Sequence, residues 1–322
     1  MSFRRSKHTI KNPFLQSDDN LRYHTYSYYL KNKYHQKVFK IPLDAGFSCP
    51  NRDGTCGFGG CWFCSSRGSG DTIIQSNDIY KQFLAGKQMM MRKWPSGLTI
   101  AYFQAYTNTH ASLAVLKALY DPFVLDTAIV EIAIATRPDC LDDDKIAYFQ
   151  VLNKIKPITI ELGLQSINDE TMTMLNRGHD LNCLNKTVEK LQKANIRVCL
   201  HIINGLPNES EAMMLATAKH IAKLNVDGIK IHMLHIIKNT KLAEVYGNNP
   251  FYLLSKNEYV DIVIKQLELL PPTMVIERVT GDALVSELIA PLWTCNKTII
   301  RNDIAKEMVK KDTYQGKYYE TN

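Results

Sequence analysis

Six short runs rich in β-branched and other apolar residues, separated by longer segments of helical period, limit what this chain can fold into more than any other feature. The runs are VFKIPL (38–43), LTIAYF (98–103), AIVEIAIAT (128–136), ITIELGLQ (158–165), VCLHIING (198–205) and GIKIHML (228–234). Between them the spacing predicts helices near 77–93, 111–120, 142–154, 168–176 with 181–194, and 209–224, several opening on a capping residue such as Asn77, Ser112 or Asp142. Strands that alternate with helices pair in parallel through right-handed crossovers, which leaves an open doubly wound sheet or a (β/α) barrel. Beyond residue 235 the pattern changes: helices near 240–246 and 256–270 lead through Pro271 and Pro272 to MVIERV (274–279), a helix from about 282, and a polar tail over 312–322. This region reads as an extension of the same barrel. No repeat of fixed period and no low-complexity segment is present.

With 45% hydrophobic and 22% charged residues in 322, fibre, collagen and wholesale disorder are excluded. No apolar run approaches the ~18–20 residues that cross a bilayer, and the basic, polar start MSFRRSKHTIKNPFLQSDDN has no apolar core or cleavage site behind it. A cytoplasmic location is therefore expected. Residues 1–40 hold nine Lys or Arg against Asp18 and Asp19, an excess that matches the +7 net charge of the whole chain, so the remainder is balanced. Tyr23, Tyr26, Tyr28, Tyr29 and Tyr34 are interleaved with those cations. A basic, aromatic arm over 1–37 suits a polyanion with bases to stack on, such as RNA; a segment that packs its tyrosines on the body is the alternative.

In a reducing compartment the eight cysteines are not a disulfide framework. Four of them, Cys49, Cys56, Cys61 and Cys64, fall in a glycine-rich loop after the first strand, which in an α/β barrel lies on the face where active sites are built. Three readings compete. A structural zinc site usually takes two close cysteine pairs, whereas the first two cysteines here are seven apart. Cys56, Cys61 and Cys64 match a plant-type ferredoxin run, which needs a distant fourth ligand. The third reading is a 4Fe-4S cluster on three thiolates with one iron left open.

The sequence resembles the radical S-adenosylmethionine superfamily, and within it the YtqA/YhcC-type family related to the catalytic subunit of Elongator. The matching segments are GFSCPNRDGTCGFGGCWFC (46–64), YFQAYTNT (102–109), TRPDC (136–140), ELGLQS (161–166), NRGHD (176–180), GLPNE (205–209), IKIHMLHIIKNTKLA (229–243) and APLWTCN (290–296). The resemblance implies a partial (β/α)6 TIM-like barrel over 38–240 with a C-terminal α/β extension over 241–322, and no counterpart of Elongator's acetyltransferase domain. Its C-x11-C-x2-C spacing assigns Cys49, Cys61 and Cys64 as cluster ligands, with Cys56 outside the set. Three thiolates leave the fourth iron free to chelate S-adenosylmethionine. An electron from the reduced cluster then cleaves the cofactor to methionine and a 5′-deoxyadenosyl radical, which takes hydrogen from an inert carbon.

Other positions follow from the same resemblance. Phe63 is expected to flank the adenine, Gln104 to present backbone to the methionine amino group, and Arg177 to lie near the cofactor carboxylate or ribose. Gly205 opens a turn expected to pack on the adenine. Glu161 and Gln165 lie four apart on one strand, so both face the lumen, and cofactor contact is favoured for Glu161 over a structural ion pair. For His179 a surface salt bridge is nearly as good a reading. Arg137, His235 and Arg278 are candidates to meet an anionic substrate, while His232 is read as a core histidine. The implied substrate is tRNA, with the C5 side chain of the wobble uridine altered, for example from carboxymethylaminomethyluridine to aminomethyluridine; an electron donor such as flavodoxin or ferredoxin is implied too. The rivals are a radical enzyme acting on a small metabolite or peptide, and a non-catalytic metal-containing RNA-binding protein.

Overall fold

The computed structural model describes residues 12–68, 70, 73, 74, 76 and 78–320. Each apolar run is a strand, and the helices alternate with them: α1 (Tyr26–Tyr34), β1 (Val38–Leu43), α2 (Ile79–Met91), β2 (Leu98–Phe103), α3 (Leu113–Leu125), β3 (Ile129–Thr136), α4 (Asp143–Ile155), β4 (Ile158–Gln165), α5 (Asp169–Met174), α6 (Leu181–Lys193), β5 (Arg197–Asn204), α7 (Glu211–Leu224) and β6 (Gly228–Met233). There follow β7 (Ile236–Ile237), α8 (Lys241–Asn248), α9 (Lys256–Leu269), β8 (Val275–Arg278), β9 (Leu288–Ala290) and α10 (Lys297–Lys310). The seven strands β1-β2-β3-β4-β5-β6-β8 form one parallel sheet in that order, and β7 pairs antiparallel with β9. This is the partial barrel expected, its sheet lengthened by β8, and no described helix is long and apolar enough to cross a membrane.

The sheet is buried on both faces, which is why its strands read as continuous apolar runs. Outward residues such as Ile41, Phe103, Ile134, Leu162 and Leu164 pack under the helices, with Phe103 and Tyr120 edge to face at 4.9 Å. Inward positions carry the polar chemistry. Capping is as expected at Asp142, whose carboxylate accepts from the Lys145 amide, whereas Ser112 makes no side-chain cap bond. Asn77 lies outside the described residues, and α2 is capped by Asp78, which accepts from Tyr80 and Lys81.

Three expectations are corrected. The stretch 12–37 is not an arm but part of the barrel: the sheet leaves edge strands β1 and β8, and the chain around α1 packs against both, with the Ile276 amide donating to the His24 carbonyl at 2.8 Å. Arg22 and several of its tyrosines point inward, while Lys31 and Lys37 are exposed. Arg22 is buried and pairs with Asp312 at 2.9 Å, Lys33 pairs with Glu131, Tyr34 donates to Glu131 at 2.6 Å, and Lys40 lies 4.7 Å from the Tyr26 ring centre. Residues 1–11 fall outside the described ones. Second, the polar tail is built in around Thr313 and Gln315: Gln315 is fully buried, accepts from the His24 amide at 2.8 Å and donates to the carbonyls of Pro271 and Met274 at 2.6 and 2.8 Å. Third, no helix starts near 282. Asp282 gives its carboxylate to Arg278 and Lys297 instead of to a helix cap, and the last helix begins at Lys297.

Candidate active site

The lumen opens beside the β1–α2 connection into a cavity of about 280 Å³. The cysteine loop forms one wall. Cys49, Cys61 and Cys64 all line the cavity, whereas Cys56 is exposed away from it, 3.8 Å from an Asp139 carboxylate oxygen. The loop is held by its own polar residues: the Cys49 carbonyl accepts from the Arg52 and Asp53 amides at 2.8 and 3.1 Å, and the Cys64 amide donates to the Cys61 carbonyl at 3.0 Å. Arg52 donates to the carbonyls of Cys64 and Ser65 at 3.1 and 2.7 Å. Its guanidinium passes so close to Gly60, in the left-handed region at φ +73°, that a Cβ there would sit 2.8 Å from Nε. Asn51 donates to the Asn176 carbonyl, and Asn176 in turn donates to the carbonyls of Phe58 and Gly60 at 3.0 and 2.9 Å. The NRGHD segment, the connection between α5 and α6, thus braces the cysteine loop.

Arg177 is buried against that wall. Its Nε donates to Gln165 Oε1 at 2.6 Å and its Nη2 to the Gly163 carbonyl at 2.7 Å, in space that a side chain on Gly163 would fill. Arg137 lies behind it, paired with Asp139 at 2.7 Å and donating to the Arg177 carbonyl at 2.8 Å. These residues suit a thiolate-bound cluster. Burial pushes the Cys64 thiol up to about 11, so cations are needed to draw off its proton, and Arg52 and Arg177 stand beside the cysteines. Among the described residues no group of three His, Cys, Asp or Glu is arranged to hold a single metal ion. A four-iron cluster asks only that each thiolate reach a separate iron.

Of the other expected residues, Phe63, Gln104, Gln165, Arg137 and Arg278 line the cavity. Gly205 and His235 are not among its lining residues: Gly205 packs on Leu254 and Leu234, and His235 lies against Gly281, where burial lowers it to about 4. His179 makes no salt bridge among the described residues; its Nε2 is buried and burial lowers it to about 2. His232 is the reverse correction, a cavity-lining residue where a core histidine was expected.

Glu161 lines the cavity as well, and it is held there in an ion-pair network. Its Oε1 lies 2.7 Å from Lys40 Nζ, and its Oε2 meets Lys230 Nζ and, at 2.8 Å, His201 Nε2. Lys40 goes on to Glu277 at 2.9 Å, and Glu277 to Arg197 at 2.6 Å. Burial alone would push the Glu161 carboxyl up; Lys230, Lys40 and His201 hold it well below the usual range. The network spans β1, β4, β5, β6 and β8 and so ties the two edge strands together across the lumen. Lys230, His201 and Glu277 were not found in the sequence as functional residues. The available signal was the polar Lys230 and His232 two apart on a strand that is apolar on its other face.

A family model described as the Radical SAM superfamily matches residues 54–221, and one described as the Radical SAM C-terminal domain matches 226–310. The chain is 46% identical to YtqA of Bacillus subtilis (strain 168) over 310 residues, 96% of each chain. It is 27% identical over 156 residues to the tRNA uridine(34) acetyltransferase of Methanocaldococcus infernus, covering 48% of this chain and 29% of that one. Among solved structures, archaeal Elp3 of Methanocaldococcus infernus, lacking its N-terminal residues 1–46, superposes with a TM-score of 0.66 at 17% identity over 87% of this chain and 64% of that chain, a likeness of fold.

Proposed function

From a chain that belongs to the radical S-adenosylmethionine superfamily and is an enzyme of that kind, we propose a tRNA-modifying activity directed at the C5 side chain of the wobble uridine. The reaction we favour is removal of the carboxymethyl group from carboxymethylaminomethyluridine to leave aminomethyluridine, the lost group leaving as glyoxylate with one water consumed and S-adenosylmethionine, reduced to methionine and 5′-deoxyadenosine, as the two-electron oxidant. The observation that carries this reading is the likeness over 156 residues to an enzyme named for its action on uridine 34 of tRNA. The shape of the site is in keeping with it, since a lumen inside a barrel is reached by a single flipped-out nucleotide and not by a helical stem.

In this reading Cys49, Cys61 and Cys64 hold a 4Fe-4S cluster. With S-adenosylmethionine bound, the cluster supplies one-electron chemistry able to remove hydrogen from an unactivated carbon. The protein's own part is to orient and to shield. Arg52, Asn51 and Asn176 fix the ligand loop, and Arg177, held in place by Gln165 and Gly163, offers a buried positive charge to a carboxylate or ribose. The α1 segment packs against the strand edges, and its inward tyrosines, with Lys33, Lys40 and Glu131, keep water from that side of the lumen.

Reconstituted, reduced protein is expected to release 5′-deoxyadenosine from S-adenosylmethionine slowly by itself and at least about tenfold faster with tRNA carrying carboxymethylaminomethyluridine. A stimulation by small metabolites or peptides, with none by tRNA, contradicts the reading. Anchoring of the rest of the tRNA falls to the surface. Arg4, Arg5, Lys7 and Lys11 lie outside the described residues, whereas Arg22, Lys33 and Lys40 are paired internally. If the first four neutralise ~4 phosphates, removing residues 1–11 flattens the slope of log K against log salt by about 3 and spares slow cleavage of S-adenosylmethionine without tRNA. An unchanged slope rules those four cations out of tRNA binding.

A further inference from the structure

The ion pairs of the lumen are short of carboxylates. Among the described residues, Lys40, Lys230 and Arg197 of the buried group share only Glu161 and Glu277, and at the rim Arg278 and Lys297 share only Asp282. Lys230 is 8% exposed and its further contact is neutral, the Tyr102 hydroxyl at 3.1 Å. A buried cation with half a counter-ion is costly to maintain unless something else compensates it.

The surplus is gathered at one place. Lys230 on β6 is the cross-strand neighbour of Arg278 on β8, and His232 lies two residues along β6 on the same face. All three line the cavity. The His232 ring stacks on His201 at 5.6 Å, and its Nε2 is buried without a hydrogen-bond partner among the described residues. Burial, with Arg278, His201 and Lys230 adding to it, keeps this imidazole neutral, so it has an N–H to give to an anion. The cysteine end of the cavity has separate cations in Arg52, Arg137 and Arg177.

We propose that Lys230, His232 and Arg278 form a recognition site for a carboxylate carried by the substrate. The site deepens the tRNA reading and rests on it: the carboxymethylaminomethyl side chain ends in a carboxylate, which supplies the missing negative charge and a partner for His232 Nε2. Its product, the aminomethyl side chain, ends in an ammonium that the same cations repel. The site thus selects substrate over product by charge, through charge-assisted hydrogen bonds in a water-poor lumen.

The test uses full-length, cluster-reconstituted, unreduced protein with S-adenosylmethionine, and three anticodon stem-loops that differ only at the wobble base: carboxymethylaminomethyluridine, aminomethyluridine and uridine. Affinity by fluorescence anisotropy is expected to be about tenfold or more tighter for the first than for the other two. Lys230→Met removes that preference, Lys230→Arg keeps part of it, and Arg278→Gln, a change at the half-exposed rim, reduces it even if the buried variant does not fold. Equal affinity of the wild type for all three loops overturns the carboxylate site and leaves the tRNA reading standing, as does a preference that survives in both Lys230→Met and Arg278→Gln. Failure of every loop to bind is a different result and overturns the tRNA reading together with this site.

Discussion

Alanine in place of Cys49, Cys61 or Cys64 is expected to abolish the iron content and the absorption near roughly 400 nm of the reconstituted protein, whereas Cys56→Ala keeps both. The effect is all-or-none because each thiolate serves a separate iron and two ligands do not retain a four-iron cluster. The structure distinguishes the four residues physically. Three line one cavity on a loop pinned by Arg52, Asn51 and Asn176, while the Cys56 thiol is exposed outside that cavity, 3.8 Å from an Asp139 carboxylate oxygen. Loss of the cluster in Cys56→Ala with retention in Cys49→Ala would overturn the assignment in favour of the ferredoxin-like spacing.

The second large effect is on stability. Glu161→Gln removes the charge that Lys40 and Lys230 share in a region with almost no solvent, and breaking a buried pair in this way costs about 3–5 kcal/mol. Lys230→Met added to Glu161→Gln removes one stranded cation and is expected to recover part of that loss. The pH dependence follows with a definite sign. Burial opposes ionisation, but Lys40 and Arg197 hold Glu277 down at about 2, and Glu161 is held low by Lys230 and Lys40. Carboxyls depressed in the folded state add stability that is fully present above the unfolded value of 4.5 and is lost as pH falls from there towards 2. Urea midpoints measured across that interval are expected to fall steeply in the wild type and less steeply in Glu161→Gln; parallel curves would return Glu161 to a cofactor-contacting role.

The strands were legible because a parallel sheet covered on both faces writes itself as continuous β-branched runs, and the expected limits of β1, β2 and β4 coincide with the observed ones. The cysteine loop was legible because four cysteines fall within sixteen residues, Gln165 because it lies four from Glu161 on one strand, and Arg177 only through the family resemblance. α1 was not, since its inward face is made of Tyr26, Lys33 and Tyr34, residues whose composition reads as a solvated basic surface until Glu131 is seen to receive them. The same blindness hid Lys230: one lysine in GIKIHM carries no periodic signal of its own. What identifies it is the pairing of strands, because in a sheet covered by helices outside a charged residue can only face the lumen. The helix expected near 282 failed for a related reason. An aspartate followed by apolar residues resembles a helix start, and only the presence of Arg278 and Lys297 gives Asp282 another use.

The most direct measurement of the central claim is the mass spectrum of nucleosides from tRNA of cells in which the gene for this chain is deleted, beside the same cells complemented by wild type or by Cys61→Ala. The account predicts that carboxymethylaminomethyluridine accumulates and aminomethyluridine with its derivatives disappears in the deletion, and that only the wild type restores them. Nucleoside profiles identical in all strains, or restoration by Cys61→Ala, would contradict it.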